Sequence, residues 1–322
     1  MVSTIDNLKA RAGCTIGRLY GDGELGGLMQ AILVGNKSEL SKDRKSLFAS
    51  LGVVHVLAVS GLHLGLIFIL FNTLFSPLKK LKFGWAIYSV LILFFIWAYA
   101  LLTGFSDSVQ RAALMVSVFV IGNALQRSYS TINALVFSFI VLLVLDPAML
   151  SHPGFQLSFL AIAGIVWIAQ PLMGALEFSS PLIKRIWQAA CVSVGAHIST
   201  FPLVLFYFGS HANLFLISNL LMVPLFVALL YAGNFTLLCG LFAYDLPDFL
   251  VNLQSRIYDL IVFISTALDA VPFSSFQGVS ISLFQTVMLY LLMGLFLLAF
   301  NRRSKGILIY AFVILLVEGL II

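Results

Sequence analysis

Long apolar runs separated by short polar connections recur along almost the whole chain. The first reaches from Ser50 to Phe75, and others fall at about 84–103, 109–125, 131–145, 155–174, 187–207 and 212–232. A short apolar piece at 235–244 precedes an interruption by Asp245, Pro247 and Asp248, after which come 249–268, 281–300 and 307–322. A spanning helix needs about 20 mostly apolar residues. The pattern therefore predicts an all-α, polytopic integral membrane protein with about ten transmembrane helices. Gly154, Gly164, Pro202 and Pro224 lie within or beside these runs. Broken helices are tolerated at membrane depth where protein or water covers the freed backbone, so some crossings are expected to be short or broken.

Residues 1–50 are the least hydrophobic part and read as an N-terminal polar segment. Within it Glu24–Val34 predicts a short interfacial helix, weakened by Gly26 and Gly27, and 35–45 is a polar linker with charges alternating in sign. Residues 51–322 form the transmembrane domain.

Composition excludes a soluble globular protein. Of 322 residues, 61% are apolar and 10% charged, against roughly a quarter charged in soluble domains. The net charge of +5 is divided among short connections: Lys79, Lys80 and Lys82; Arg127; Lys184 and Arg185; Arg302, Arg303 and Lys305. Such clusters mark the cytoplasmic face. With a crossing at 249–268 they all fall on one face, after spans one, three, five and nine, and both chain ends lie outside. The seven Lys and Arg before residue 50 then sit on the outer side, along the interface or in a folded segment. The N-terminus lacks the pattern of a cleavable signal peptide. Cys14, Cys191 and Cys239 have neither metal nor disulfide spacing, so no cofactor or metal is implied.

Three polar constellations interrupt the apolar pattern. In HVLAVSGLH, His55, Ser60, Gly61 and His63 stand inside the first run. The two histidines are eight positions apart, about 12 Å along a helix and ~80° round it, too far to share a metal on an unbroken helix. A break at Ser60–Gly61 turns backbone amides and a helix terminus toward an anionic group. The alternative is two histidines hydrogen-bonding across a bundle. In TGFSDSVQRAALM, Asp107 and Arg111 are one turn apart and can pair along the third helix. Arg111 can equally meet phosphate, whose oxyanion geometry its fork matches, or tie two helices together. In DPAMLSHPGFQLSFLA, Asp146-Pro147 closes one helix and Pro153-Gly154 opens the next. Gln156 and Ser158 then line a path or bridge helices. Further on, Asn219, five residues before Pro224, is the best candidate for holding an opened helix. Soluble hydrolase and nucleotide-binding motifs are absent. An intramembrane protease with Ser60 as nucleophile lacks a GxSxG elbow.

These segments, in order, resemble the competence domain of the ComEC-type DNA-uptake channel family. The resemblance is carried by ELGGLMQAILVGNKSELSKD (24–43), GVVHVLAVSGLHLGLI (52–67), LTGFSDSVQRAALM (102–115), DPAMLSHPGFQLSFLAIAGI (146–165) and HISTFPLVLFYFGSHANLFLISNLLMVPL (197–225). It implies passage of single-stranded DNA across the inner, cytoplasmic membrane during natural transformation. His55, Ser60, Gly61 and His63, then Arg111, then Gln156 and Ser158 match the family's motifs, and with Asp107 and Asn219 they are the candidate DNA-path residues. Fully equipped members carry an oligonucleotide-binding-fold domain and a metallo-β-lactamase-like nuclease domain. Neither is found in this sequence and no HxHxDH motif occurs, so nuclease activity is not carried over. The implied partners are single-stranded DNA, membrane lipids and a separate DNA-binding protein, nuclease and ATPase. The alternatives are transport of another anionic polymer or lipid-linked solute, or a non-conducting scaffold of the competence machinery.

Overall fold

The computed structural model describes residues 2–21, 23–57, 59–125, 130–241 and 248–302. The class is all-α, and five helices among the described residues are long and apolar enough to cross a membrane. Three N-terminal helices, α1 (Val2–Tyr20), α2 (Glu24–Val34) and α3 (Lys42–Ser50), precede the first apolar run. Gly26 and Gly27 allow α2 to pack closely. A Cβ on Gly27 would stand 2.6 Å from the Glu39 carbonyl oxygen, so the α2–α3 connection runs directly over the helix. Ser41 caps α3 by accepting from the Arg44 amide at 3.3 Å.

The first apolar run is broken. A four-residue helix α4 (Val54–Leu57) is followed by α5 (Gly61–Phe75), with Ser60 extended at its N-cap. A 3₁₀ turn at Ser76–Lys80 leads into α6 (Gly84–Leu102), and α7 (Asp107–Ala124) and α8 (Thr131–Leu145) follow. A second 3₁₀ turn at Pro147–Ser151 precedes α9 (Pro153–Gly164), a π-helical stretch at Ile165–Ala169 and α10 (Gln170–Met173). The remaining helices are α11 (Pro181–Phe208), α12 (Phe215–Leu241), α13 (Asp248–Asp269) and α14 (Leu283–Arg302). The described strands are β1 (Ser210–Ala212) and β2 (Ser275–Gln277), antiparallel with His211 opposite Phe276.

Three expectations are corrected. Pro202 and Pro224 do not break their helices: α11 and α12 run through them, since neighbouring helices and local adjustment can satisfy the freed carbonyl. The seventh run begins at Phe215 rather than 212, because residues 210–212 pair with β2. The piece at 235–244 is not separate, since α12 continues to Leu241. The tenth run at 307–322, with Arg127, Arg303 and Lys305, lies outside the described residues.

Packing collects helix ends at one end of the bundle. Val279 donates to the Gly209 carbonyl at 3.1 Å and Asn213 to Ser274 at 2.9 Å, which joins the C-terminal ends of α11 and α13 to the start of α12. A Cβ on Gly52 would lie 3.0 Å from the Ala212 Cβ, so the start of the first run is there too. The turn between α6 and α7 joins them where Ser106 Oγ donates to the Val59 carbonyl at 3.2 Å. One hydrophobic core joins the N-terminal helices to α12 and α13 through Ile16, Met29, Phe48, Phe226 and Ile261. A second fills the space between α5, α6 and α7 through Leu64, Ile92 and Val109. Outer faces carry exposed apolar side chains such as Phe94, Val144 and Phe263, the surface that a lipid solvent accepts.

Candidate functional site

Ser60 and Gly61 decide the local structure at the break. The Ser60 amide donates to His63 Nδ1 at 3.3 Å, and Ser60 Oγ lies 3.1 Å from the same nitrogen. A histidine three residues into the helix thus serves where Glu or Gln usually closes a capping box. Because Nδ1 accepts, the neutral ring carries its proton on Nε2. His63 is 1% exposed, so this cap is made inside the protein.

Arg111 lies across that helix start. A Cβ on Gly61 would stand 3.1 Å from Arg111 Nη2 and 3.4 Å from the Ala112 Cβ. A side chain at position 61 would make the guanidinium give way by a few tenths of an ångström. Arg111 is 5% exposed, and its Nε and Nη1 have no hydrogen-bond partner. The Phe159 ring, 5.5 Å from the guanidinium carbon, covers it from α9. The expected pairing with Asp107 is not formed. Asp107 Oδ2 instead faces His152 Nδ1 at 3.6 Å, because Asp107 begins α7 and points toward the start of α9.

The first turns of α7 and α9 complete the cluster. Ser158 Oγ donates to Ser108 Oγ at 3.2 Å, and a Cβ on Gly154 would stand 3.3 Å from Asp107 Oδ2. Gln156 spans from α9 to its neighbours: Nε2 donates to the Leu150 carbonyl at 2.7 Å, and Oε1 accepts from Tyr207 Oη at 2.9 Å. Behind them α9 and α11 interlock through Gly164 and Gly195, each against the other's carbonyl oxygen. The N-terminus of α5 and the first turns of α7 therefore meet at one buried arginine, which α9 reaches through Phe159, and the start of α9 faces Asp107 at the start of α7; each helix start carries partial positive charge.

Six of the nine candidate residues come together here, Ser60, Gly61, His63, Asp107, Arg111 and Ser158, while Gln156 on the same helix as Ser158 turns to Leu150 and Tyr207. His55 is on α4, before the break, with Nδ1 on the Gly52 carbonyl at 3.0 Å, near enough to His63 for the two rings to interact electrostatically. Asn219 does not hold an opened helix; it sits within continuous α12 with Oδ1 buried and unpartnered. Sequence reasoning missed Phe159 and Tyr207, which carry no signal in apolar runs, and Lys9, whose ammonium group lies against Gly104 in the α6–α7 turn. Among the described residues no group of three or more His, Cys, Asp or Glu is placed to hold a metal.

The family model described as "Competence protein" matches residues 32–303, most of the chain and all three elements of the cluster. The chain belongs to the competence protein family. It is similar to "ComE operon protein 3" of Bacillus subtilis (strain 168), at 33% identity over 215 residues, which is 64% of this chain and 25% of that protein. It is also similar to "Recombination protein 2" of Haemophilus influenzae, at 28% identity over 64% of this chain and 27% of the relative. "Competence protein ComA" of Neisseria gonorrhoeae is 31% identical over 55% of this chain and 27% of its own length. The chain thus spans about a quarter of the length of these relatives. No solved structure matches it. It is a multi-pass membrane protein of the competence family.

Proposed function

We propose that this chain is the membrane core of a conduit that passes single-stranded DNA across the bacterial cytoplasmic membrane during natural transformation. The observation that carries the reading is the unpaired, buried Arg111 at the start of α5, covered by Phe159 of α9, in a member of the competence family. Backbone phosphate dominates nucleic-acid recognition, and a conduit needs positive groups that are not already neutralised by carboxylates. The polar seam of α5, α7 and α9 supplies them without a lysine-rich groove. Ser60, His63, Gln156 and Ser158 add neutral hydrogen-bonding groups, while His55 lies on α4 just before the break and Asn219 on α12.

In this reading the chain makes ten crossings with both ends outside, the first fifty residues forming an outer segment on a transmembrane competence domain. The end that holds the Arg111 cluster faces outward, because Lys79, Lys80 and Lys82 follow α5 at its other end. DNA meets the cluster as it arrives. Energy, strand degradation and initial DNA capture lie outside this membrane core. The test is a transformation assay in a strain lacking this gene, complemented with wild type, Arg111→Ala or His63→Ala at matched membrane levels. Loss of transformants with both variants is expected, and wild-type frequencies with both would refute the conduit.

A further inference from the structure

We infer that the N-terminus of α5 and the Arg111 guanidinium form a discrete site for one tetrahedral oxyanion, filled in function by a single phosphodiester of the strand. The oxyanion chemistry stands on the geometry alone, and the nucleic-acid occupant rests on the conduit reading. The first amides of a helix have no acceptors within it. In α5, a helix of 15 residues, the Ser60 amide is taken by His63. Gly61 and Leu62 follow it with their amides at the positive end of the helix dipole, the arrangement that binds phosphate groups elsewhere.

Arg111 is an independent indication at the same place. It is 5% exposed, two of its three nitrogens lack partners, and Nη2 is 3.1 Å from where a Gly61 side chain would begin. A buried guanidinium without a carboxylate is expensive, so a cation kept there calls for an anion that arrives from outside. Its planar fork suits two oxygens of a phosphate. The nearest acid one turn away, Asp107, is turned to His152 at 3.6 Å and does not compete for the fork. Phe159 covers the other side of the guanidinium and excludes water there, which strengthens any charge pairing. One arginine and one helix end hold one phosphate group. They do not form a track for several.

The site is tested on the purified full chain in neutral-lipid nanodiscs, with a fluorescein-labelled thymidine dinucleotide, which has a single internal phosphodiester, as probe. Wild type is expected to bind it, with sulfate displacing it at least about tenfold more effectively than chloride at equal ionic strength. Gly61→Ala, which puts a methyl group between helix end and guanidinium, is expected to weaken binding about tenfold or more, as is Arg111→Ala. Lys80→Ala, at the far end of α5, leaves binding unchanged. Equal displacement by sulfate and chloride, or no dinucleotide binding by wild type, overturns the site. So does unchanged binding in a Gly61→Ala protein that unfolds at the wild-type temperature. If that variant does not fold, Arg111→Lys decides: a loss of severalfold supports the fork, and wild-type affinity overturns it. Dinucleotide affinity that collapses in discs of anionic lipid assigns the same oxyanion chemistry to a lipid headgroup and overturns the nucleic-acid occupant. The conduit reading fails separately, in the transformation assay.

Discussion

Replacing Arg111 by methionine is expected to make the protein more stable while abolishing its function. Nε and Nη1 are buried without partners, and each unsatisfied donor costs about 1–3 kcal/mol. Methionine keeps much of the length and removes both donors and the charge. What is lost is the cation–π contact with Phe159 at 5.5 Å, worth about 2 kcal/mol when desolvated. A thioether beside the same ring returns about 0.3–1.5 kcal/mol. The balance is a gain of roughly 0–5 kcal/mol, centred in the range of about 1–4 kcal/mol seen when buried ionic groups are replaced by apolar ones of similar volume. Thermal unfolding of the detergent-solubilised protein reads this as a rise of a few degrees. Transformation frequency, measured at equal membrane levels, is expected to fall to background. A variant that unfolds at a lower temperature than wild type would show that Arg111 holds the fold together, and the reasoning from its unpaired nitrogens would be wrong.

Three further expectations follow from the packing. Gly164→Ala drives a methyl group into the Gly195 carbonyl and Ser199 side chain, an overpacking cost of about 1–3 kcal/mol, readable as a lower unfolding temperature and reduced membrane levels. Tyr20→Phe removes the hydroxyl that donates to Gln254 Oε1 and lies 2.6 Å from Thr236 Oγ1. Those groups, on α13 and α12, are then left without it at a cost of about 1–3 kcal/mol, and wild-type thermal stability would contradict the role of this bridge. His211, in β1 between the spans, has its pKa pushed below the ordinary value of 6.5 by burial. Its neutral form is favoured in the folded state, so its contribution to stability is intact above pH of about 6.5 and is lost as pH falls from there through the lowered folded value. Unfolding temperatures measured between pH 8 and 5 should drop on the acid side, and more shallowly in His211→Phe; equal slopes would refute this.

Much of the cluster is legible in the residues themselves. A Ser-Gly step flanked by histidines within an apolar run marks a helix start, and Ser60 extends while α5 begins at Gly61. Pro153-Gly154 likewise opens α9 where that dipeptide stands. Proline was a weaker guide inside long helices: Pro202 and Pro224 leave α11 and α12 continuous, since a membrane helix can absorb a proline with its neighbours' help. Spacing also misled at Asp107 and Arg111. Four residues allow an ion pair, but His152 from a separate element takes the acid. The pairing of β1 with β2, residues 210–212 with 275–277, joins segments too short to show a period and too far apart to predict from either. The approach of Arg111 to Gly61 is likewise tertiary, and nothing in either motif states it.

The most direct test of the conduit is contact with DNA in transit. Single cysteines at Ser158, in the seam, and at Phe94, on the exposed face of α6, would carry a short photoreactive group during uptake of labelled DNA in living cells. Crosslinked single strands from position 158 and none from position 94 are expected. Strands captured from both positions alike, or from neither while transformation proceeds, would contradict a path between α5, α7 and α9.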